Sequence, residues 1–325
     1  MRIFLAPMEG VVDHTMRSML TRIGGFDRCV TEFVRINEGQ LLPPRVFYRL
    51  CPELLQGGKT PSGTPVYIQL LGGNPEAMAM NAERAASLGA PGIDINFGCP
   101  AKTVNKSDGG AIILREPERI FNIVDAVRKA VPTTTPVTVK IRLGYEDSSL
   151  LADNCAAIYA AGANELAIHA RTKLDSYKPP AHWQQLNAIQ TSAPIPIIAN
   201  GEIWQFADYR QCRQDSGCED IMLGRGALSR PDLAKQIRSF GQDNVRIDWL
   251  EILYLLEGFA QLTEDVYEAK YVNGRVKQWL AYLRDGYCEA STLFEKIKRL
   301  TKPEDIVAII RQAQASQHSL TQQVH

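Results

Sequence analysis

The chain has 325 residues, 45% of them hydrophobic, and its 36 basic side chains balance 36 acidic ones, so the formal net charge is zero with five histidines neutral. That apolar fraction excludes a disordered chain, and the lack of a basic excess argues against a non-specific nucleic-acid binder or a polybasic membrane-surface protein, although a basic patch offset by acid elsewhere stays open. Seven cysteines (Cys29, Cys51, Cys99, Cys155, Cys212, Cys218, Cys288) are scattered, odd in number and contain no C-x-x-C pair, which excludes a disulfide framework and a zinc site; no metal is expected.

In chain order, the opening MRIFLAPMEG carries too short an apolar run for a signal peptide, and no segment reaches the roughly 18 apolar residues of a membrane span. A reduced, cytoplasmic protein is expected. Short apolar runs rich in β-branched residues then recur: Ile3 to Ala6, Cys29 to Thr31, Val66 to Leu71, Gly92 to Asn96, Val137 to Ile141, Glu165 to His169, Pro196 to Asn200 and Asp220 to Gly224. Helix-like patterns such as Asn74 to Leu88, Pro117 to Val131 and Leu150 to Ala161 separate them. Eight successive β/α units in about 240 residues predict a TIM (β/α)8 barrel; the alternative is a doubly wound open sheet. Arg2 and Arg28 stand where strands begin, whereas Glu9, Asn96, Arg142, His169, Asn200 and Arg225 follow or close the runs. This asymmetry suits a barrel, whose strand C-termini build the active site.

After about Arg238 the glycines thin out and only helical periodicity remains, from Trp249 to Ile310. The expected division is a barrel over 1–240, a small helical domain over 241–312 and a flexible tail over 313–325.

Within the barrel, Asn200-Gly201-Glu202 and Gly224-Arg225-Gly226 follow the last two runs, where barrels commonly hold phosphate with backbone amides and a helix N-terminus. Lys140 interrupts an apolar run in a fold without edge strands, so it is expected to turn into the barrel toward an anionic or carbonyl-rich ligand. Gln69 and His169 add polar groups from two further strands. A flat polar ligand such as an isoalloxazine would use all three.

Several motifs carry a family resemblance: LAPMEGVVD from Leu5, TEF from Thr31, IQLLG from Ile68, DINFGCPAKTV from Asp94, GGA from Gly109, VKIRLG from Val139, HART from His169, IANGEI from Ile198 and IMLGRGAL from Ile221. The sequence resembles the tRNA-dihydrouridine synthases, flavoenzymes with an FMN-binding barrel and a C-terminal helical tRNA-binding domain. It is most similar to their C subfamily, which acts on uridine 16 of the D loop, through Glu9, TEFVR ending at Arg35 and RVKQWLAYL from Arg275. The resemblance implies FMN binding by Pro7, Met8, Glu9, Gln69, Lys140, His169, Asn200, Gly201, Glu202, Gly224 and Arg225. It also implies re-reduction by NADPH or NADH, and Cys99 as the catalytic acid.

That role suits a thiol. Reducing the uracil 5,6 double bond takes a hydride at C6 and a proton at C5, and an ordinary thiol, with a pKa near 8.5, is already protonated at neutral pH. No base that would make Cys99 a nucleophile is evident beside it. Cys29, Cys155, Cys212, Cys218 and Cys288 read as small buried hydrophobes.

A uridine in a folded D loop must be extruded at a cost of a few kcal/mol, which calls for grip on the RNA. From Lys270 to Lys302 there are eight basic and three acidic residues, a segment charge of +5, with Trp279 and Tyr282 interleaved. The expected tRNA contacts are Arg35, Asn96, Tyr177, Arg275, Lys277, Tyr282 and Lys298. No protein partner is evident, so a monomer is expected. The competing expectations are a synthase for another D-loop position, a dihydroorotate-dehydrogenase-like FMN barrel for a small pyrimidine, and a non-catalytic RNA-binding protein.

Overall fold

The computed structural model describes residues 1–242 and 245–322, with side chains for all of these except 269 and 319–322. The chain forms two compact units. The first comprises Met1–His14, Phe26–Ile203 and Ala207–Gly224; the second comprises Thr15–Gly25, Trp204–Phe206 and the chain from Arg225 onward.

The first unit holds eight parallel strands: β1 (Ile3–Leu5), β2 (Arg28–Arg35), β3 (Val66–Leu71), β4 (Ile93–Phe97), β5 (Val137–Arg142), β6 (Glu165–His169), β7 (Ile197–Asn200) and β8 (Asp220–Leu223). They pair in sequence order, and β8 closes on β1 through Ile3↔Ile221 and Leu5↔Leu223. The sheet is thus the predicted closed barrel. Each predicted run coincides with a strand. β2 is longer than expected because its second half, Glu32 to Arg35, breaks the apolar pattern. Its register against β3 also slips by one residue between Val30 and Phe33, a bulge at which Thr31 Oγ1 accepts the Gln69 backbone N–H at 3.0 Å.

The helices α1 (His14–Ile23), α2 (Pro44–Leu50), α3 (Pro75–Ser87), α4 (Lys102–Lys106), α5 (Pro117–Ala130), α6 (Leu151–Ala160), α7 (Gln185–Ser192) and α8 (Phe206–Ser216) follow the strands. In α3, Asn74 caps the first turn by accepting from Ala77 N at 2.9 Å, Pro75 occupies a position that needs no N–H, and Gly89 at φ +90° follows the helix. In α5 the buried side chains Ile120, Ile123, Val124 and Val127 recur at i, i+3, i+4 and i+7, the stripe that covers a barrel. Burying each such side chain stabilises by roughly 1.5–3 kcal/mol.

Inward-facing residues alternate along every strand and fill the barrel in layers. Phe4, Val30, Tyr67, Ala167, Ile198 and Met222 form an apolar layer. At the strand N-termini lies a charged layer. Glu165 joins the guanidinium groups of Arg2 and Arg28, Arg2 Nε also donates to Asp220 at 2.9 Å, and Arg28 stands 4.3 Å from the ring centres of both Phe4 and Tyr67. The two arginines that mark strand starts in the sequence are therefore parts of one ionic plug.

The second unit contains α9 (Arg225–Ser229), α10 (Leu233–Arg238), α11 (Trp249–Glu264), α12 (Ala269–Leu283), α13 (Glu289–Ile297) and α14 (Pro303–Gln322). Leu253, Leu256, Phe259, Val276, Leu280, Leu283, Leu293 and Ile297 are its core. Apart from Thr15–Gly25 and Trp204–Phe206, it starts at α9, before the change of sequence style near 240. The segment from 313 to Gln322, expected to be a tail, continues α14, where Gln314 and Arg311 both hydrogen-bond Glu257; residues 323–325 of that expected tail lie outside the described residues. No helix among the described residues is long and apolar enough to cross a membrane.

Candidate active site

Two residues beyond Tyr67, Ala167 and Ile198 of the apolar layer, the same strand alternation turns Gln69, His169 and Asn200 inward, where Asp94, Asn96 and Lys140 from β4 and β5 join them. Gln69, Asp94 and Asn96 form one hydrogen-bonded group. Asp94 accepts from Gln69 Nε2 at 2.7 Å and Thr138 Oγ1 at 2.5 Å, and Gln69 Oε1 accepts from Asn96 Nδ2 at 2.8 Å. Asn96 Oδ1 in turn accepts the backbone N–H groups of Gly98 and Cys99 at 2.9 and 3.0 Å. Burial raises the Asp94 carboxyl, with the hydrogen bonds from Gln69 and Thr138 opposing.

Cys99 is half-buried on the loop after β4. Its carbonyl accepts from Ala111 N at 3.1 Å and Asn105 Nδ2 at 3.0 Å, so the loop is tied on both sides of the thiol. A side chain at Gly110, which has φ +69°, would meet the Cys99 carbonyl at 2.9 Å, so this close approach requires glycine. Burial is the main cause that pushes the thiol above its ordinary value. Glu9 adds to it, while the Ala101 N–H, Arg142 and Arg35 oppose. Cys29, Cys155, Cys212 and Cys218 are buried as expected, and so is Cys51; Cys288 is exposed, contrary to its reading as a buried hydrophobe, because it precedes α13 at the unit's surface.

Lys140 Nζ donates to Asn200 Oδ1 at 3.0 Å, and Asn200 Nδ2 donates to the Met222 carbonyl at 2.8 Å. No carboxylate pairs with Lys140 among the described residues. Burial and the neighbouring Arg142 push its ammonium down to about 8, so it remains largely cationic at neutral pH. A half-buried cation held only by an amide oxygen suits an anionic or carbonyl-bearing ligand.

His169 Nε2 lies 3.2 Å from Arg171 Nη1. Since a guanidinium only donates, Nε2 is the acceptor in this contact. Gly201 has φ +115°, and a Cβ there would meet His169 Cδ2 at 2.8 Å, so the imidazole packs directly on the backbone after β7. Arg171 is fully buried, donates to the Lys178 carbonyl at 2.6 Å and forms an ion pair with Glu202, whose φ of 60° is unusual for a non-glycine residue. The Glu202 carboxylate is thereby engaged by Arg171. Gly224 is not demanded by the chain's own packing, since a Cβ there would make ordinary contacts with Met8 and Ala6 at 3.7 and 3.8 Å.

Pro7, Met8 and Glu9 form the loop after β1, turned by Val11 and Val12 N–H groups donating to the Met8 carbonyl. Glu9 lies at the surface, yet desolvation around its carboxyl and repulsion from Glu32 raise it, with Arg35 opposing. Tyr177 is 51% exposed, and its ring centre is 6.1 Å from that of His169. In the second unit, Arg225 opens α9 with its guanidinium 5.0 Å from the Trp204 ring centre.

Arg275, Lys277 and Tyr282 lie half-buried on α12, and Lys298 caps α13. Arg275 donates to Gln278 Oε1 at 2.5 Å, Lys277 to the Leu300 carbonyl at 2.5 Å, and Lys298 pairs with Glu295. Trp279, read from sequence as an aromatic among these cations, is instead core: its ring meets Phe259 edge-on at 5.0 Å and its Nε1 donates to the Leu228 carbonyl.

Sequence reasoning passed over Arg142 as a working residue, using it only to mark a strand end. It is 1% exposed, donates to Gly98 O at 2.8 Å and to the carbonyls of Thr172 and Ser176, and stands 5.1 Å from the Tyr177 ring centre. It thus ties the Cys99 loop to the Tyr177 loop. Its position two residues after Lys140 was the available signal, because alternation turns both the same way. Asp94, two residues before Asn96, carried the same signal. No cluster of His, Cys, Asp and Glu that could hold a metal occurs among the described residues.

A family model described as "Dihydrouridine synthase (Dus)" matches residues 4–320. A tRNA-dihydrouridine(16) synthase of Shewanella oneidensis is 52% identical over 322 residues, covering 99% of this chain and 100% of that protein. One from Aquipseudomonas alcaligenes is 50% identical over 301 residues, covering 92% and 95%. Among solved structures, histamine dehydrogenase from Rhizobium sp. 4-9 superposes with a TM-score of 0.55 at 14% identity over 80% of this chain and 49% of that one, a likeness of fold. A match that spans the barrel and the helices beyond it, with the thiol loop and the inward polar group in place, means that the chain belongs to the dihydrouridine synthase family.

Proposed function

We propose that this chain reduces the 5,6 double bond of uridine 16 in the tRNA D loop to dihydrouridine, with FMN as its flavin and NADPH as reductant, acting as a cytoplasmic monomer. The observation that carries this reading is a half-buried thiol, Cys99, its pKa raised by burial, on a loop held by Asn96 beside the inward cation Lys140 at the C-terminal end of a closed barrel.

The donor set fits FMN. Lys140 offers a cation without a carboxylate partner, Gln69 retains one amide N–H, and the backbone after β7 follows Gly201 closely past His169. We assign cofactor contacts to these residues and to Pro7, Met8, Glu9, Asn200, Glu202, Gly224 and Arg225. Bound and reduced, FMN supplies the hydride for C6. Cys99 holds the proton that C5 takes up as enolate-like charge develops there. Asn96 uses both lone pairs of its oxygen on the thiol loop and keeps one N–H for a base carbonyl. Tyr177 offers an exposed ring beside the base, and Arg35 a cation near the thiol. Arg275, Lys277, Tyr282 and Lys298 contribute the backbone grip that offsets extrusion.

The test of the position is direct. Dihydrouridine mapped in tRNA from a deletion strain is expected to return at 16 when this chain is supplied; its return only at another D-loop position would overturn the assignment.

A pH prediction follows from the thiol. Cys99 works in its protonated form, which exists below its pKa and is lost above it, and burial raises that pKa. The single-turnover rate of flavin oxidation by tRNA is therefore expected to stay level through neutral pH and to fall only above the usual thiol range. A decline already at neutral pH would contradict it.

A further inference from the structure

The hydrogen bonds that end on the Cys99 loop have a direction, and Asp94 sets it. Asp94 Oδ2 can only accept from Gln69 Nε2, because an amide nitrogen only donates. That orients the Gln69 carboxamide with its oxygen toward Asn96, whose Nδ2 donates to it; Asn96 is thereby turned with its oxygen toward the N–H groups of Gly98 and Cys99. Thr138 fixes the other oxygen of Asp94. Asp94 and Gln69 are 2% and 0% exposed, so water has little access to replace a missing partner.

We infer that Asp94 is a positioning residue for the proton-transfer step: it aims the Cys99 thiol through Gln69 and Asn96 without touching substrate. This rests on the reading of Cys99 as the acid. A misplacement of about 1 Å can cost roughly a hundredfold in rate, so the relay matters to the thiol's reaction more than to hydride supply.

The chemistry of the relay separates two substitutions at Asp94, to which we assign no cofactor or substrate contact. Asp94→Ala removes the acceptor of the Gln69 amide and the link breaks. In Asp94→Asn the amide oxygen accepts from Gln69 Nε2 and the amide nitrogen donates to the Thr138 hydroxyl, which can accept as well as donate, so Gln69 and Asn96 keep their orientation.

The test uses flavin-loaded full chain, with NADPH-driven flavin reduction, flavin oxidation by dihydrouridine-free tRNA, and the iodoacetamide alkylation rate of Cys99 followed by peptide mass spectrometry. Asp94→Ala is expected to slow oxidation by tRNA about a hundredfold and to change Cys99 alkylation, with a much smaller effect on reduction by NADPH. Asp94→Asn is expected to hold both affected rates near wild type. Equal slowing of both half-reactions by Asp94→Ala, an unchanged alkylation rate, or an Asp94→Asn variant as slow as Asp94→Ala would overturn the inference. Should Asp94→Ala not fold, Asp94→Leu, which fills the space without an acceptor, takes its place, and Asp94→Asn must still behave as wild type. Wild-type dihydrouridine in Cys99→Ala would instead remove the acid, an outcome distinct from failure of the Asp94 variants.

Discussion

Replacing Cys99 with alanine is expected to leave flavin bound and reducible by NADPH while slowing uridine reduction in tRNA by about 10²–10⁴-fold, the contribution of a positioned general acid. The side chain is small and only half-buried, and the loop is held by its backbone through Asn96, Asn105 and Ala111, so its loss removes the proton without releasing the loop. Cys99→Ser keeps the shape and offers a far weaker acid, so it should resemble alanine rather than wild type. Nucleoside mass spectrometry of tRNA from a complemented deletion strain measures the result. Dihydrouridine at the wild-type level in Cys99→Ala would sink the assignment.

The second large effect concerns stability. Glu165 joins Arg2 and Arg28 at the strand N-termini, and Arg28 is buried between the Phe4 and Tyr67 rings. Glu165→Ala leaves that buried guanidinium without its carboxylate. Breaking one partner of a buried pair costs about 3–5 kcal/mol, whereas replacing the whole pair by apolar groups is often neutral. The urea midpoint of the barrel is therefore expected to drop markedly in Glu165→Ala and to recover in Glu165→Leu/Arg28→Met. An unchanged midpoint in the single variant would show that the plug contributes nothing. Because this layer lies at the opposite end of the strands from Cys99, residual folded protein should keep its rate of uridine reduction.

These two predictions draw on different parts of the sequence. Cys99 was singled out through the resemblance that DINFGCP carries, and it lies on the loop after β4. The plug was visible only as two arginines at strand starts, with no indication that Glu165 would join them. Lys140 was legible for a physical reason, since a cation within an apolar run of an edgeless sheet must find a partner inside. Arg142 obeys the same alternation but closes its run, so it looked like a boundary, and Asp94 lay inside the run Gly92 to Asn96 without being singled out.

The helical unit shows the opposite limit. Val276, Leu280 and Leu283 announced a buried face through their spacing, and they are buried. Trp279 beside them was ambiguous, because an aromatic among cations suits RNA stacking as well as a core; contact with Phe259 and the Leu228 carbonyl decided it. Helix α14 outran its periodicity because Glu257, more than fifty residues earlier, anchors Arg311 and Gln314.

By itself the sequence determined the eight strands, their order around a barrel and the helical region after them, since each depends on periodicity or spacing within a few residues; the thiol was picked out by the resemblance of its motif. Only the tertiary structure decided what those residues bind: Arg171 to Glu202, Arg142 to Gly98, Asp94 through Gln69 to Asn96, and the bulge that gives Gln69 its Thr31 partner. Most of those partners come from different strands and lie twenty-five or more residues apart. Their meeting depends on the register of neighbouring strands, which closure of the barrel imposes and no local pattern encodes.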